Sequence, residues 1–206
     1  MDRSIPNRRI LRDAFPMNPL SLNELPPRYQ GPLLTIYQWE QPLSTGETVT
    51  FERCVRPDTV AVIGFLDAKT VLLTQEKQLG RTDTFIDAPG GRVDPGEDHE
   101  AAARRELREE TGYEATTLLP WETVEYGGLI RFRQSIYLAK GLTLASTPSE
   151  THDPTEEISL LPLSLEEAVQ LCLTKNLRRA EVSLALLRLQ YDPASKERLR
   201  AFLSDL

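Results

Sequence analysis

The chain has 206 residues, enough to build one domain with a full core or one domain with a small appendage. An apolar content of 40%, a charged content of 27% and a formal net charge of -7 describe an ordinary globular protein and argue against a nucleic-acid backbone as main partner. No apolar run approaches the roughly 18 residues of a membrane span, and the isolated Cys54 and Cys172 read as buried, reduced thiols of a cytoplasmic protein rather than as a disulfide or zinc site.

Residues 1–27 hold Pro6, Pro16, Pro19, Pro26 and Pro27 around an Arg-rich piece, Arg8 to Arg12, so a long helix cannot form and an extended arm is expected. Asp2, Asp13 and Glu24 are out of place in an organelle transit peptide. Leu33 to Gln41 and Thr48 to Val55 are rich in β-formers, and Pro42 to Gly46 supplies a turn between them, which predicts a hairpin. After the break at Pro57-Asp58, Thr59 to Leu66 is a nearly continuous apolar strand. Asp67 to Lys69 turns the chain into a second strand, Thr70 to Gln75. Gln78 to Asp83 reads as a polar loop, and Phe85 to Ala88 leads into Pro89.

Gly90 to Gly96 is rich in Gly, Pro and Asp and reads as a loop. Asp98 to Thr111 lacks Gly and Pro, and Gly112 stands where a C-terminal cap belongs, so a helix is expected. Glu106 and Glu110 are four apart and Glu109 is three from Glu106, which puts three carboxylates on one edge while Leu107 and Ala103 turn toward a core. Such acids repel one another unless something cationic sits among them. Arg105, four before Glu109, can serve part of the set. A hard divalent cation would serve all of it, because it takes oxygen ligands and keeps positions open for phosphate and water. The alternative is a solvated helix laced with Glu/Arg pairs.

Beyond the helix, Ala115 to Glu125 reads as a pair of strands interrupted by Pro120, and Gly127-Gly128 as a loop. Arg131 to Lys140 alternates, with Phe132, Ile136 and Leu138 on one side and Arg131, Arg133 and Ser135 on the other, as a half-buried strand does. Thr143 to Thr155 is a polar loop, and Ile158 to Leu163 returns to strand character. Ser164 to Glu167 is a capping-box signature for a helix to about Leu173. A second helix, about Arg178 to Leu189, carries Val182, Ala185, Leu186 and Leu189 on one face, and Asp192-Pro193 starts a third. Strands on both sides of a central helix, with helices at the end, give an α/β or α+β layered fold.

Counting from Gly91, the chain gives Gly, five residues, Glu97, seven residues, then Arg105-Glu106-Leu107-Arg108-Glu109-Glu110-Thr111-Gly112-Tyr113. This resembles the Nudix box, G-x5-E-x7-R-E-U-x-E-E-x-G-U with U a bulky apolar residue, at every fixed position. The resemblance implies the Nudix fold, a mixed β-sheet sandwiched between helices, over about residues 57–190. It divides the chain into an N-terminal arm with an antiparallel β-hairpin (1–56) and a Nudix hydrolase domain (57–206). The order of elements is most like the ADP-ribose pyrophosphatase branch, whose N-terminal sheet exchanges contacts with a second subunit, so a homodimer is implied.

The same resemblance implies cleavage of the pyrophosphate bond of a nucleoside diphosphate derivative, with Mg²⁺ or Mn²⁺ as cofactor. Glu106, Glu109 and Glu110 would hold the metal, Glu97 would reach it directly or through water, the Gly90 carbonyl would add a backbone ligand, and Arg105 would orient Glu109. The branch draws its general base from a glutamate after the box, a place filled by Glu156 and Glu157, with Glu150 and His152 as further candidates. His99 is taken as structural. Lys77, in Gln75-Glu76-Lys77, stands where the branch binds phosphate with an arginine, and Arg53 and Arg56 are further phosphate candidates. Tyr37, Trp39 and Phe51 lie on the hairpin where the branch stacks adenine, and core or dimer interface is the competing assignment for each. Two departures weigh against ADP-ribose: Ala88-Pro89-Gly90-Gly91 replaces the more usual Pro-Ala-Gly, and Glu125-Tyr126-Gly127-Gly128 replaces Ser-Pro-Gly. The alternatives are a Nudix hydrolase of other nucleotides and a non-catalytic nucleotide sensor.

Overall fold

The computed structural model describes Leu22 and residues 25–78, 80, 82–146, 156–174 and 177–206. Most of the proline-rich start, together with Glu150, His152 and Asp153, lies outside them. The described residues form two compact units, one holding those up to Arg56 with Gly127–Arg131, the other Pro57–Tyr126 with Phe132–Leu206.

In the first unit a short strand β1 (Tyr29–Gln30) pairs with β2 (Thr35–Pro42), and β2 pairs antiparallel with β3 (Thr48–Val55) from Thr35↔Val55 to Pro42↔Thr48. The turn closes where Leu43 N–H donates to the Glu47 carbonyl at 2.7 Å and Gly46 N–H to the Leu43 carbonyl at 3.0 Å. Directly opposed residues share a face, so the register puts Tyr37, Trp39, Phe51 and Arg53 together on one side. The Trp39 and Phe51 rings lie 5.0 Å apart, and the Arg53 guanidinium sits 5.7 Å from the Trp39 ring centre.

The second unit is a mixed sheet between helices. Its spine is β4 (Thr59–Phe65), parallel to β8 (Ile130–Leu144) from Thr59↔Gln134 to Gly64↔Ala139. Ala61, Ile63 and Phe65 join one core with Ile136 and Leu138, while Val60 and Val62 join a second core with Tyr137 and Ala139. Successive side chains point to opposite faces, so both faces are covered, as the continuous apolar run requires. Helix α1 (His99–Thr111) closes the second core with Ala102, Ala103 and Leu107. Helices α2 (Leu165–Leu173), α3 (Ala180–Tyr191) and α4 (Pro193–Phe202) close the first through Ala168, Val169, Val182, Ala185, Leu186, Leu189 and Leu199. No helix among the described residues is long and apolar enough to cross a membrane.

Local signals fix the helix ends. Asp98 caps α1 by accepting from the Ala101 N–H at 2.8 Å, and Gly112 ends it in the left-handed conformation at φ 72°. Ser164 and Glu167 form the reciprocal capping box of α2, and Asp192 caps α4 with Pro193 in its first turn.

Long-range pairing overrides the local reading elsewhere. Strand β5 (Thr70–Gln78) does not stop at Gln75, because β9 (Glu156–Ser164) pairs with it from Thr70↔Ser164 to Gln78↔Glu156. The expected strand pair around Pro120 is one strand, β7 (Tyr113–Gly127), which pairs with β8. An edge position tolerates a residue without an N–H, so Pro120 breaks nothing. β8 alternates as expected only at its start, where Arg131 and Arg133 are exposed beside a half-buried Phe132; Gln134 through Ala139 are buried on both sides, because that stretch is covered by both cores. Cys54 and Cys172 are free, and both are half-buried rather than buried.

Asp58 ties the start of β4 to three other elements. Its carboxylate accepts from the Arg133 backbone N–H at 2.7 Å and the Arg133 Nε at 2.9 Å, and lies 3.2 Å from His99 Nε2. His99 Nδ1 meets Ser135 Oγ at 2.8 Å, and Ser135 meets Thr123 Oγ1 at 3.0 Å. Burial alone would raise the Asp58 pKa, but the bonds from Arg133, its charge and His99 outweigh it and hold Asp58 below its ordinary 3.8. A depressed acid stabilises the fold above the unfolded value and loses that contribution as pH falls through the folded one. Asp58→Asn is therefore expected to cost about 1–3 kcal/mol near neutral pH. In thermal melts the deficit against wild type should shrink once the pH drops below 3.8. A deficit that stayed constant through the acid range would refute this account.

Candidate active site

The segment between β6 (Phe85–Asp87) and α1 lies along β4 like a further strand. Val62 N–H donates to the Pro89 carbonyl at 2.8 Å and Val60 N–H to the Gly91 carbonyl at 2.9 Å. Alternate carbonyls point the other way: those of Ala88 and Gly90 accept from Arg179 Nη1 at 3.0 Å and Nη2 at 2.6 Å. Gly90 has φ 152°, and a Cβ there would fall 2.2 Å from the Val60 carbonyl oxygen, so only glycine fits. A Cβ on Gly91 would fall 2.5 Å from Glu106 Oε1. The loop and the acidic helix are thus in direct contact.

Arg105 sits in the middle of the acids. It holds Glu97 bidentately, with Nε to Oε1 at 3.0 Å and Nη2 to Oε2 at 3.0 Å. Its Nη1 reaches Glu106 Oε1 at 2.8 Å and Glu109 Oε2 at 3.0 Å, and its Nη2 also donates to the Arg92 carbonyl at 2.8 Å. The bonds from Arg105, backed by the Asp94 N–H, hold the Glu97 carboxyl below its ordinary range. Glu110 points elsewhere and accepts from the Gly90 N–H at 2.9 Å.

The other two acids are held at a cost. Burial, and then Glu109, push Glu106 up against the pull of Arg105. Part of Glu110 remains exposed, yet burial around its carboxyl and the neighbouring Glu76 charge push its pKa well up. Glu76 is itself buried and takes a 2.6 Å hydrogen bond from Thr74 Oγ1. Among the described residues no three His, Cys, Asp or Glu side chains stand ready-arranged around one point as a metal requires. The donor chemistry nevertheless fits a hard divalent cation: Glu106 and Glu110 are carboxylates crowded beyond what their arginines neutralise, beside a glycine loop with no side chain in the way.

The structure therefore gathers Gly90, Glu97, Arg105, Glu106, Glu109 and Glu110 in one place. Lys77 and Glu157 lie across from each other in β5 and β9, 3.8 Å apart and largely exposed. Glu156 opens β9 opposite Gln78, and its side chain lies outside the described residues. Tyr37, Trp39, Phe51 and Arg53 share the hairpin face, and the Arg56 N–H donates to the Arg131 carbonyl at 3.2 Å. Arg179, Asp87 and Glu76 escaped the sequence reading. Arg179 is distant in the chain from the loop it holds, so no local signal exists. Asp87 did leave a trace, as an acid inside an apolar strand beside the box.

A family described as the NUDIX domain matches residues 55–186, and the chain belongs to the Nudix family. The chain is 28% identical over 179 residues to a methanol dehydrogenase activator of Bacillus methanolicus, covering 82% of this chain and 92% of that one. It is 26% identical over 167 residues to an ADP-ribose pyrophosphatase of Bacillus subtilis (strain 168), covering 81% and 90%. In fold it is similar to the crystal structure of an ADP compounds hydrolase, with a TM-score of 0.67 at 22% identity, covering 82% and 93%.

A carboxyl whose pKa is raised by the fold favours its protonated form there, so stability falls as pH rises from the ordinary 4.5 toward the folded value, and the loss persists above it. In chelator-treated protein, Glu110→Gln should therefore melt at a higher temperature than wild type near neutral pH, with the gap widening as pH rises from 4.5. A variant that melted lower than wild type under those conditions would show that Glu110 is an ordinary structural acid.

Proposed function

We propose that the protein is a Mg²⁺- or Mn²⁺-dependent pyrophosphatase of ADP-ribose or a related nucleotide sugar, releasing a nucleoside monophosphate and a sugar phosphate in the cytoplasm. The observation that carries this reading is the crowding of Glu106 and Glu110 against the Gly90–Gly91 loop, with Glu109 joined to Glu106 through Arg105 and burial raising the pKa of both Glu106 and Glu110. The likeness to an ADP-ribose pyrophosphatase over most of both chains supports the substrate class.

Glu106, Glu109 and Glu110 would hold the cation together with the Gly90 carbonyl. Such a cation supplies neutralisation of phosphate charge and polarisation of the bond to be broken. Glu97 serves from behind, since both of its oxygens are taken by Arg105, which in turn orients Glu109. One of the two acids that open β9, Glu156 or Glu157, accepts a proton from the attacking water as its oxygen bonds to phosphorus. The bridging P–O bond breaks, and the bridging oxygen departs on the second phosphate. Lys77 answers the phosphate charge, and Arg53, Arg56, Tyr37 and Trp39 would serve phosphate and base from the hairpin of a second copy. The likeness to a protein described as a methanol dehydrogenase activator favours a second reading, in which a nucleotide-binding Nudix protein acts on another enzyme.

A panel of nucleotide sugars and nucleoside triphosphates, incubated with protein and Mg²⁺ and read by mass spectrometry, separates these readings. ADP-ribose or a close relative should be cleaved fastest, and Glu106→Gln should lower turnover by at least about 100-fold through loss of a ligand charge. Tight binding of one compound with no cleavage of any would favour the sensor.

The hairpin exposes Val49 and Phe51, and isolated hairpins are marginal in water. A second copy, the commonest solution for soluble oligomers, is proposed to cover it. Light scattering of the full chain should report a dimer at micromolar concentration, and a monomer there would remove this part of the proposal.

A further inference from the structure

The loop that meets the acids makes two sets of carbonyl contacts, and only one belongs to the sheet. Pro89 and Gly91 turn theirs to β4. Ala88 and Gly90 turn theirs away, and the partner supplied to both is Arg179, at 3.0 and 2.6 Å. A guanidinium can do this because its donors form a rigid fork that bridges two acceptors, which an ammonium cannot reproduce.

The guanidinium has a counter-charge placed for it. Asp87 is fully buried, one of its oxygens takes the Ala88 N–H at 2.9 Å, and the other has no hydrogen bond and faces Arg179 Nε at 3.4 Å. A buried carboxylate is tolerated only with a partner. The backbone around Arg179 is fastened to the same strand, with the Arg178 N–H donating to the Ile86 carbonyl at 2.9 Å and Leu177 bridged to Ile86. The Gly90 peptide thus stands between two fixed groups: its carbonyl is gripped by Arg179, and the N–H of the same residue donates to Glu110 at 2.9 Å.

We propose that Arg179 is a positioning residue of the active site: from the start of α3, with Asp87 as its counter-ion, it sets the Gly90 backbone and through it the Glu110 carboxylate for cation binding. The carbonyl oxygen keeps a second lone pair while it accepts from Arg179. Arg179 therefore aims the Gly90 oxygen without exhausting it. This inference rests on the reading that these acids hold a divalent cation.

The test measures Mn²⁺ binding directly, by electron paramagnetic resonance of the free ion titrated with chelator-treated full-length protein. Arg179→Lys keeps the charge beside Asp87 but loses the fork. The pair Asp87→Asn with Arg179→Gln removes both charges together, so Asp87 is not left as a buried ion without its partner. Both proteins should bind Mn²⁺ about 10–100-fold more weakly than wild type, the range typical for groups that orient metal ligands. Melting temperatures of the metal-free proteins report folding separately, and a purely structural Arg179 would move them without moving the Mn²⁺ affinity of the folded protein. Wild-type binding with unchanged affinity in both variants would overturn the assignment of Arg179 alone. A wild-type protein that bound no Mn²⁺ would overturn the cation reading and this inference with it.

Discussion

The structure depends on holding like charges together. Glu97, Glu106, Glu109 and Glu110 come from the loop and helix, and Glu76 is added from β5. Carboxylates that share a site push one another toward the protonated form. The fold answers with two arginines of different origin. Arg105 lies on the acidic helix itself and contacts Glu97, Glu106 and Glu109. Arg179 comes from α3 and reaches the loop backbone, with its charge felt at Glu106 and Glu110. The compensation is uneven. Glu97 ends below its ordinary range, while Glu106 and Glu110 end above it. The acids least satisfied by the protein are the ones with most to gain from a cation.

That arrangement needs a rigid floor, and β4 provides it. A strand buried on both faces by two separate cores cannot shift without disturbing both. The loop from Ala88 to Gly91 takes its geometry from β4 through the Pro89 and Gly91 carbonyls, and the missing side chain at Gly90 lets the two backbones meet. Asp58, just ahead of β4, fixes the start of the acidic helix through His99. Both loop and helix are thus indexed to one strand, and the distances between their functional groups follow from it.

What was legible in the sequence was whatever is decided within four or five residues. Asp98 and Gly112 announce the ends of α1, and Ser164 with Glu167 announces α2, because caps are satisfied by their immediate neighbours. The box spacing fixes which acids share the helix edge, and the structure places Glu106 and Glu109 on Arg105 together. What was illegible was decided by distant strands. The polar tail of β5 is a strand only because β9 pairs with it, and β7 runs through Pro120 only because it pairs with β8 as an edge. β8 looks half-buried because Arg131, Arg133 and Ser135 alternate with Phe132, Ile136 and Leu138, yet Ser135 is buried against His99 and Thr123.

Arg179 shows how a functional demand leaves its mark as a broken local rule. α1, α2 and α4 each begin with an Asp or Ser whose side chain takes a backbone N–H, whereas α3 begins at Arg179 with no side-chain cap. An arginine there forgoes a cap worth about 1 kcal/mol and sets a positive charge at the positive end of the helix dipole. Helix formation gains nothing from that choice. The side chain instead turns to Asp87 and to the carbonyls of Ala88 and Gly90, where its donors meet groups that β4 leaves unmatched. Sequences are locally consistent where only folding is at stake, and the exceptions gather where a site must be built. An uncapped helix start carrying a buried arginine, opposite a buried aspartate from another strand, is such an exception, and its physical effect falls on the loop that meets the acids.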